Sequence, residues 1–169
     1  MLLVLLSKFN HKRFHKVAFI LLFPTLSFAQ SVQVSSDNAY PRVCFQTASS
    51  ASSIKGFELS PNMIEPCNVA LVELGLSDED RAATFVNRGI LHAASGSLAE
   101  AFSDYEEALN LRPTLGEVFI NRGFLYHYEN ELDLALEDYN RALELNIQEK
   151  HLAYFARGIV HEEKNRWSE

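Results

Sequence analysis

The sequence predicts an all-α protein built from stacked, antiparallel helix hairpins, and three observations carry that prediction. First, blocks recur: Phe85-Val86-Asn87-Arg88-Gly89 returns as Phe119-Ile120-Asn121-Arg122-Gly123 and, shortened, as Phe155-Ala156-Arg157-Gly158. The step is 34 residues from Gly89 to Gly123 and 35 from Gly123 to Gly158, a period that marks helical-hairpin arrays. Second, Gly and Pro number only 7 and 5 in 169 residues, which disfavours a turn-rich β fold. Third, hydroxyl or amide residues stand three before an acid in phase with the repeat: Ser77 with Asp80, Ser97 with Glu100, Thr114 with Glu117 and Asn130 with Asp133. Each pair is expected to cap a helix start.

Taken in order, the chain begins with Lys8, Lys12, Arg13 and Lys16, followed by the apolar run Val17–Phe23, a break at Pro24 and small residues at Ser27 and Ala29. That order predicts a cleavable signal peptide at residues 1–29 and an exported protein, periplasmic or secreted. The stretch from Val17 to Ala29 is 13 residues, short of the roughly 20 that a membrane-spanning helix needs, so no stable membrane insertion is expected after cleavage. No cysteine follows Ala29, which gives no support to a lipid anchor.

Without residues 1–29 the chain holds 11 basic against 22 acidic residues. A surface so acidic is repelled by phosphate backbones, which argues against nucleic acid as a partner. Export also changes the reading of Cys44 and Cys67, the only cysteines in the chain. In an oxidising compartment two nearby cysteines favour a structural disulfide, worth ~3 kcal/mol for a loop of about two dozen residues. Their spacing is not C-x-x-C, so a redox-active pair is disfavoured.

Downstream of the glycines, Ala101-x-x-x-Tyr105-x-x-Ala108-Leu109 is matched by Ala135-x-x-x-Tyr139-x-x-Ala142-Leu143, and Pro113 closes the first unit. In these residues the chain resembles the tetratricopeptide repeat family, in the manner of an exported bacterial-type member. Two full repeats match, at 82–115 and 116–150, with a partial third at 151–169. Ile147 stands where a second proline would be expected. The resemblance implies a right-handed α-solenoid in which Gly89, Ala101, Tyr105, Ala108, Gly123, Ala135, Tyr139, Ala142 and Gly158 are packing residues. Upstream, Cys67-Asn68-Val69-Ala70-Leu71 reads as a worn copy of the segment at Tyr105, so residues 30–77 are expected to hold a degenerate hairpin that caps the array. Cys44 then lies on its first helix and Cys67 on its second, with Pro61 and Pro66 between them.

Several positions are candidates for function. Asn87 and Asn121 occupy the same place on the first helix of each repeat. Some members of the family hold a peptide backbone with asparagines there, since an amide both donates to a carbonyl and accepts from an N–H. The competing reading is a hydrogen bond between stacked helices. Ile90, Phe124 and Ile159, with Val86, Ile120 and Phe155, recur in phase and line either an apolar groove or the core. Occupation of that groove by the chain's own N-terminal segment would reconcile the two. Arg88 with Asp104, and Arg122 with Asp138, are expected to form structural ion pairs within their hairpins. His92, His127 and His161 lie near one another in phase but lack ligand spacing for a metal. No catalytic or cofactor motif is found.

The functional expectation is a non-catalytic module that binds a protein or peptide through its concave face in the cell envelope, with no cofactor. The alternative is a scaffold that forms homo-oligomers through its incomplete C-terminal repeat.

Overall fold

Two helices can approach closely only where the side-chain layer between them is interrupted, and the repeat interrupts it at Gly89 and Gly123. A Cβ at position 89 would lie 2.5 Å from Cε1 of Tyr105, and one at position 123 would lie 2.6 Å from Cε1 of Tyr139. Each tyrosine therefore occupies the volume its glycine leaves open. Both rings are buried, and burial, together with the neighbouring Asp104 or Asp138, pushes both phenols well above their ordinary range.

The computed structural model describes residues 30–34, 39–53, 60–72 and 75–166. Among these there are seven α-helices and no strand. They are α1 (Ala39–Ser53), α2 (Glu65–Val72), α3 (Asp78–Ala94), α4 (Leu98–Leu111), α5 (Gly116–Tyr128), α6 (Leu132–Glu144) and α7 (Lys150–Arg166), with one 3₁₀ turn at Pro61–Met63 before α2. The pairs α3/α4 and α5/α6 are the two repeat hairpins, α1 and α2 pack on α3, and α7 packs on α6. The expected all-α, hairpin-repeat architecture is thus the observed one. The proposed signal segment, residues 1–29, lies outside the described residues. None of the described helices is long and apolar enough to cross a membrane.

Neighbouring hairpins share their apolar faces because one alone could not bury its own. Val86, Ile90, Leu91, Ala101, Tyr105 and Ala108 form one cluster together with Cys44, Cys67 and Ala82. Ile120, Ala135, Tyr139 and Ala142 form a second with Ile147, Leu152, Ala153, Ala156 and Val160. Ile147, at the position where a proline was expected, is buried and contributes to this second cluster.

Only one of the four predicted caps forms. Ser77 is the N-cap of α3, and its Oγ accepts from the Asp80 N–H at 3.1 Å. Ser97 precedes α4 without a side-chain cap bond, and the N-cap positions of α5 and α6 fall on Leu115 and Glu131, not on Thr114 and Asn130. Asn130 ends the preceding helix instead. Its φ of 66° is left-handed, and the Glu131 N–H reaches back to the Tyr126 carbonyl at 2.8 Å. Gly96, with φ of 83°, does the same after α3, where the Ser97 N–H bonds the His92 carbonyl. The backbone thus closes each hairpin with a left-handed residue, and the side chains beyond it are not needed as caps.

At the N-terminal end, Cys44 of α1 and Cys67 of α2 are joined by a disulfide with Cα atoms 4.9 Å apart. Both cysteines are fully buried against the first cluster. Pro66 does not separate the two helices as expected. It sits in the first turn of α2, where its missing N–H leaves no helical bond unmade. The cap is tied to the array by polar bonds as well: Arg81 donates to the Leu71 carbonyl at 2.6 Å and Arg88 to Asn68 Oδ1 at 2.9 Å.

Reduction of the disulfide, or replacement of both cysteines by serine, should lower thermal stability by ~3 kcal/mol, read as a fall in Tm. An equal Tm with and without reductant would refute that role. Gly123→Ala should destabilise by about 1–3 kcal/mol, because the Tyr139 ring must move. Gly158→Ala, where an added Cβ meets nothing within 4 Å, should instead stabilise by about 0.5–1 kcal/mol. Denaturant unfolding of the two variants side by side checks both signs.

Candidate functional site: an asparagine pair facing an extended segment

A side-chain amide on a helix can copy the hydrogen-bond pattern of a neighbouring β-strand, since it carries one donor group and one acceptor close together. Asn87 on α3 and Asn121 on α5 do this toward residues 30–32. The Val32 N–H donates to Asn87 Oδ1 at 2.8 Å, and Asn87 Nδ2 donates back to the Val32 carbonyl at 2.7 Å. The Gln30 N–H donates to Asn121 Oδ1 at 2.8 Å, and Asn121 Nδ2 returns a bond to the Gln30 carbonyl at 3.0 Å.

The geometry is regular. Alternate residues of one segment meet equivalent residues of successive repeats, and the segment runs from the second repeat toward the first, against the repeat order. Alternation is what an extended chain imposes, because every second residue presents its backbone and side chain to the same side. Val32 also packs its side chain on the first apolar cluster. Both asparagines are buried, and the backbone groups they hold are the partners that make such burial tolerable.

The helix–helix hydrogen bond weighed from sequence is therefore not what these amides make; they hold main chain. The sequence pointed to the chain's own N-terminal segment as an occupant without marking which of its residues meet the amides. Its alternation, Gln30-Ser31-Val32-Gln33-Val34, is the period-two signal of an extended stretch.

The other candidate residues are placed as follows. Ile90 is buried in the first cluster, on which Val32 of the extended segment also packs. Phe124 is half-buried with its ring centroid 5.4 Å from that of Tyr139, which makes it part of the second core. Ile159 is half-buried on α7. Arg88 reaches Asp104 with Nε at 3.0 Å and Nη2 at 2.7 Å, and Arg122 reaches Asp138 with Nε at 2.8 Å and Nη2 at 2.9 Å. Hydrogen bonding to Asp138 holds the Arg122 guanidinium above its ordinary range. Burial raises the Asp138 carboxyl although Arg122 pulls it down, so the pair fixes geometry more than it adds stability.

The histidines are not brought to one point. His92 Nε2 lies 3.8 Å from Asp104 Oδ2, His127 Nε2 lies 2.9 Å from Glu163 Oε2, and His161 is exposed. Among the described residues no group of three or more His, Cys, Asp or Glu side chains is placed to hold a metal ion.

Residues 82–115 and residues 116–147 match family models of the tetratricopeptide repeat. No curated protein and no solved structure matches the chain significantly. The matched residues coincide with the hairpins α3/α4 and α5/α6, and these are two tetratricopeptide repeats. Such repeats generally mediate protein–protein interactions and typically serve as non-catalytic scaffolds.

Replacing Asn87 and Asn121 together by alanine should release residues 30–34 while leaving α3 to α6 folded. Hydrogen exchange at the Val32 amide should then accelerate by about tenfold or more, with the core amides of α3 and α5 unchanged. Unchanged protection at Val32 would show that the amides do not hold the segment.

Proposed function

We propose that this tetratricopeptide-repeat protein binds an extended polypeptide on the face that carries Asn87 and Asn121, and that it does so in the cell envelope after export. The observation that carries the reading is the two-point pairing of both amides with the backbone of Val32 and Gln30. These contacts hold main chain and are therefore indifferent to side-chain identity, which suits a partner recognised by its extended form. Residues 30–34 act as the resident occupant, and a partner segment replaces them in the same register.

The export expected from residues 1–29 fits the same picture. If cleavage follows Ala29, Gln30 becomes the first residue, and its amino group still donates to Asn121. The occupant is then a free N-terminus, held among the described residues by the two amides and the packing of Val32, and it can leave. No catalytic step is assigned to the site.

Self-association through α7 is the competing reading, favoured by the exposure of Tyr154 and Phe155. Sedimentation at low micromolar concentration separates the two: a monomer supports the peptide reading and a stable oligomer the other.

Selection from a peptide library with a variant beginning at residue 39 should return peptides that bind saturably. Asn121→Ala should weaken them by about tenfold, the value of two neutral hydrogen bonds lost. The full chain should bind the same peptides more weakly than the shortened one. Peptides that ignore Asn121→Ala, or a shortened chain that selects none, would overturn the proposal.

A further inference from the structure

The two amides treat the backbone of residues 30–32 alike, but the side chains on that backbone are not alike. Gln30 and Val32 stand two apart in the extended segment, so their side chains leave it on the same side. Val32 packs on the first apolar cluster. Gln30 brings a carboxamide to the corresponding place, and its Oε1 is buried with no hydrogen-bond partner among the described residues. A buried carbonyl without a donor keeps the full cost of leaving water.

The neighbouring residues of α5 give that oxygen no reason to be there. Residues flanking the amides correspond across the repeat: Val86 and Ile90 beside Asn87, Ile120 and Phe124 beside Asn121. Val86 and Ile90 belong to the cluster that receives Val32. Ile120 and Phe124 belong to the second cluster, and neither side chain can donate a hydrogen bond. The repeat thus presents two apolar seats at the spacing of alternate residues. The resident segment fills one with valine and the other with glutamine.

We propose that the preferred ligand of this face is an extended polypeptide with aliphatic side chains two residues apart, the first beside Asn121 and the second beside Asn87. The proposal rests on the reading of the asparagine pair as a peptide site and adds what that site selects. The amides hold any main chain; the seats decide which main chain stays. The chain's own segment is a half-matched occupant, secured by Val32 and kept displaceable by Gln30. A segment with valine, isoleucine or leucine in place of Gln30 makes the same amide bonds and leaves no carbonyl unpaired. It therefore displaces the resident. Gln33, on the other side of the segment, is exposed, so that position reads nothing.

Gln30→Val in the full chain tests the seat without any partner. Hydrogen exchange at the Val32 amide should slow by about tenfold, because the docked segment no longer buries an unpaired carbonyl. Gln33→Val makes the same change on the outward side and should leave that exchange as it is, which separates seat filling from a general gain in extended propensity. The isotopically labelled full chain is then titrated with acetyl-Val-Ser-Val-Gln-Val-amide and with acetyl-Gln-Ser-Val-Gln-Val-amide, read at the side-chain amides of Asn87 and Asn121. The first peptide should bind about tenfold more tightly than the second. Exchange at Val32 that is unchanged or faster in Gln30→Val would overturn the preference. Equal binding of the two peptides, both weakened by Asn121→Ala, would also overturn it and leave the peptide site standing. Binding that ignores Asn121→Ala, or no binding by either peptide, would take down the site and the preference together.

Discussion

The contact between a helix glycine and a tyrosine ring governs the array. At Gly89 and Gly123 the ring takes the place a side chain would have filled, and this fixes how closely two helices of a hairpin approach. Everything else is set by that spacing. The adjacent arginine and aspartate come within hydrogen-bond distance because the tyrosine beside them is seated. The asparagine two residues before each glycine is held at a constant position on the opposite side, so the two amides fall into register with an extended chain.

The polar pairs play a different part from the rings. Asp104 and Asp138 are nearly buried, and their arginines are partly so. Desolvation offsets much of what such a pair gains. Their effect is on direction: a bidentate arginine tolerates only one placement of the second helix, whereas apolar packing alone would accept several. Arg88 also reaches back to Asn68 on the preceding helix, so that one side chain links successive units.

Sequence made the period, the hairpin order, the disulfide partners and the ion pairs legible, because each rests on residues that recur in phase or on a count of two cysteines. The helix boundaries were less so. Asn130 looked like the start of α6 from its spacing to Asp133, yet it terminates α5 in a left-handed turn. Both roles suit asparagine, and only the backbone decides between them. Ile90 and Asn87 share one turn of α3 and were both read toward the groove. Residues three apart lie on the same side of a helix, so a period alone cannot tell which of the two meets the core and which the bound segment. The occupant at Gln30 and Val32 was suggested only in general terms, since its partners lie 91 and 55 residues away in sequence and no local pattern joins them.

The segment held by the two asparagines belongs to the same chain as the groove, and this has a kinetic and thermodynamic meaning. A tethered occupant competes at an effective concentration on the order of millimolar, whatever the dilution of the protein. On the proposed reading an incoming polypeptide must displace that local supply, so its apparent affinity is lower than its contacts alone would give. On that reading weak encounters are filtered out, and a segment must offer more than two amide pairs and one half-buried valine to stay. Selectivity in a groove that works as proposed comes from the threshold its own tail imposes, even where the amides read no side chain at all.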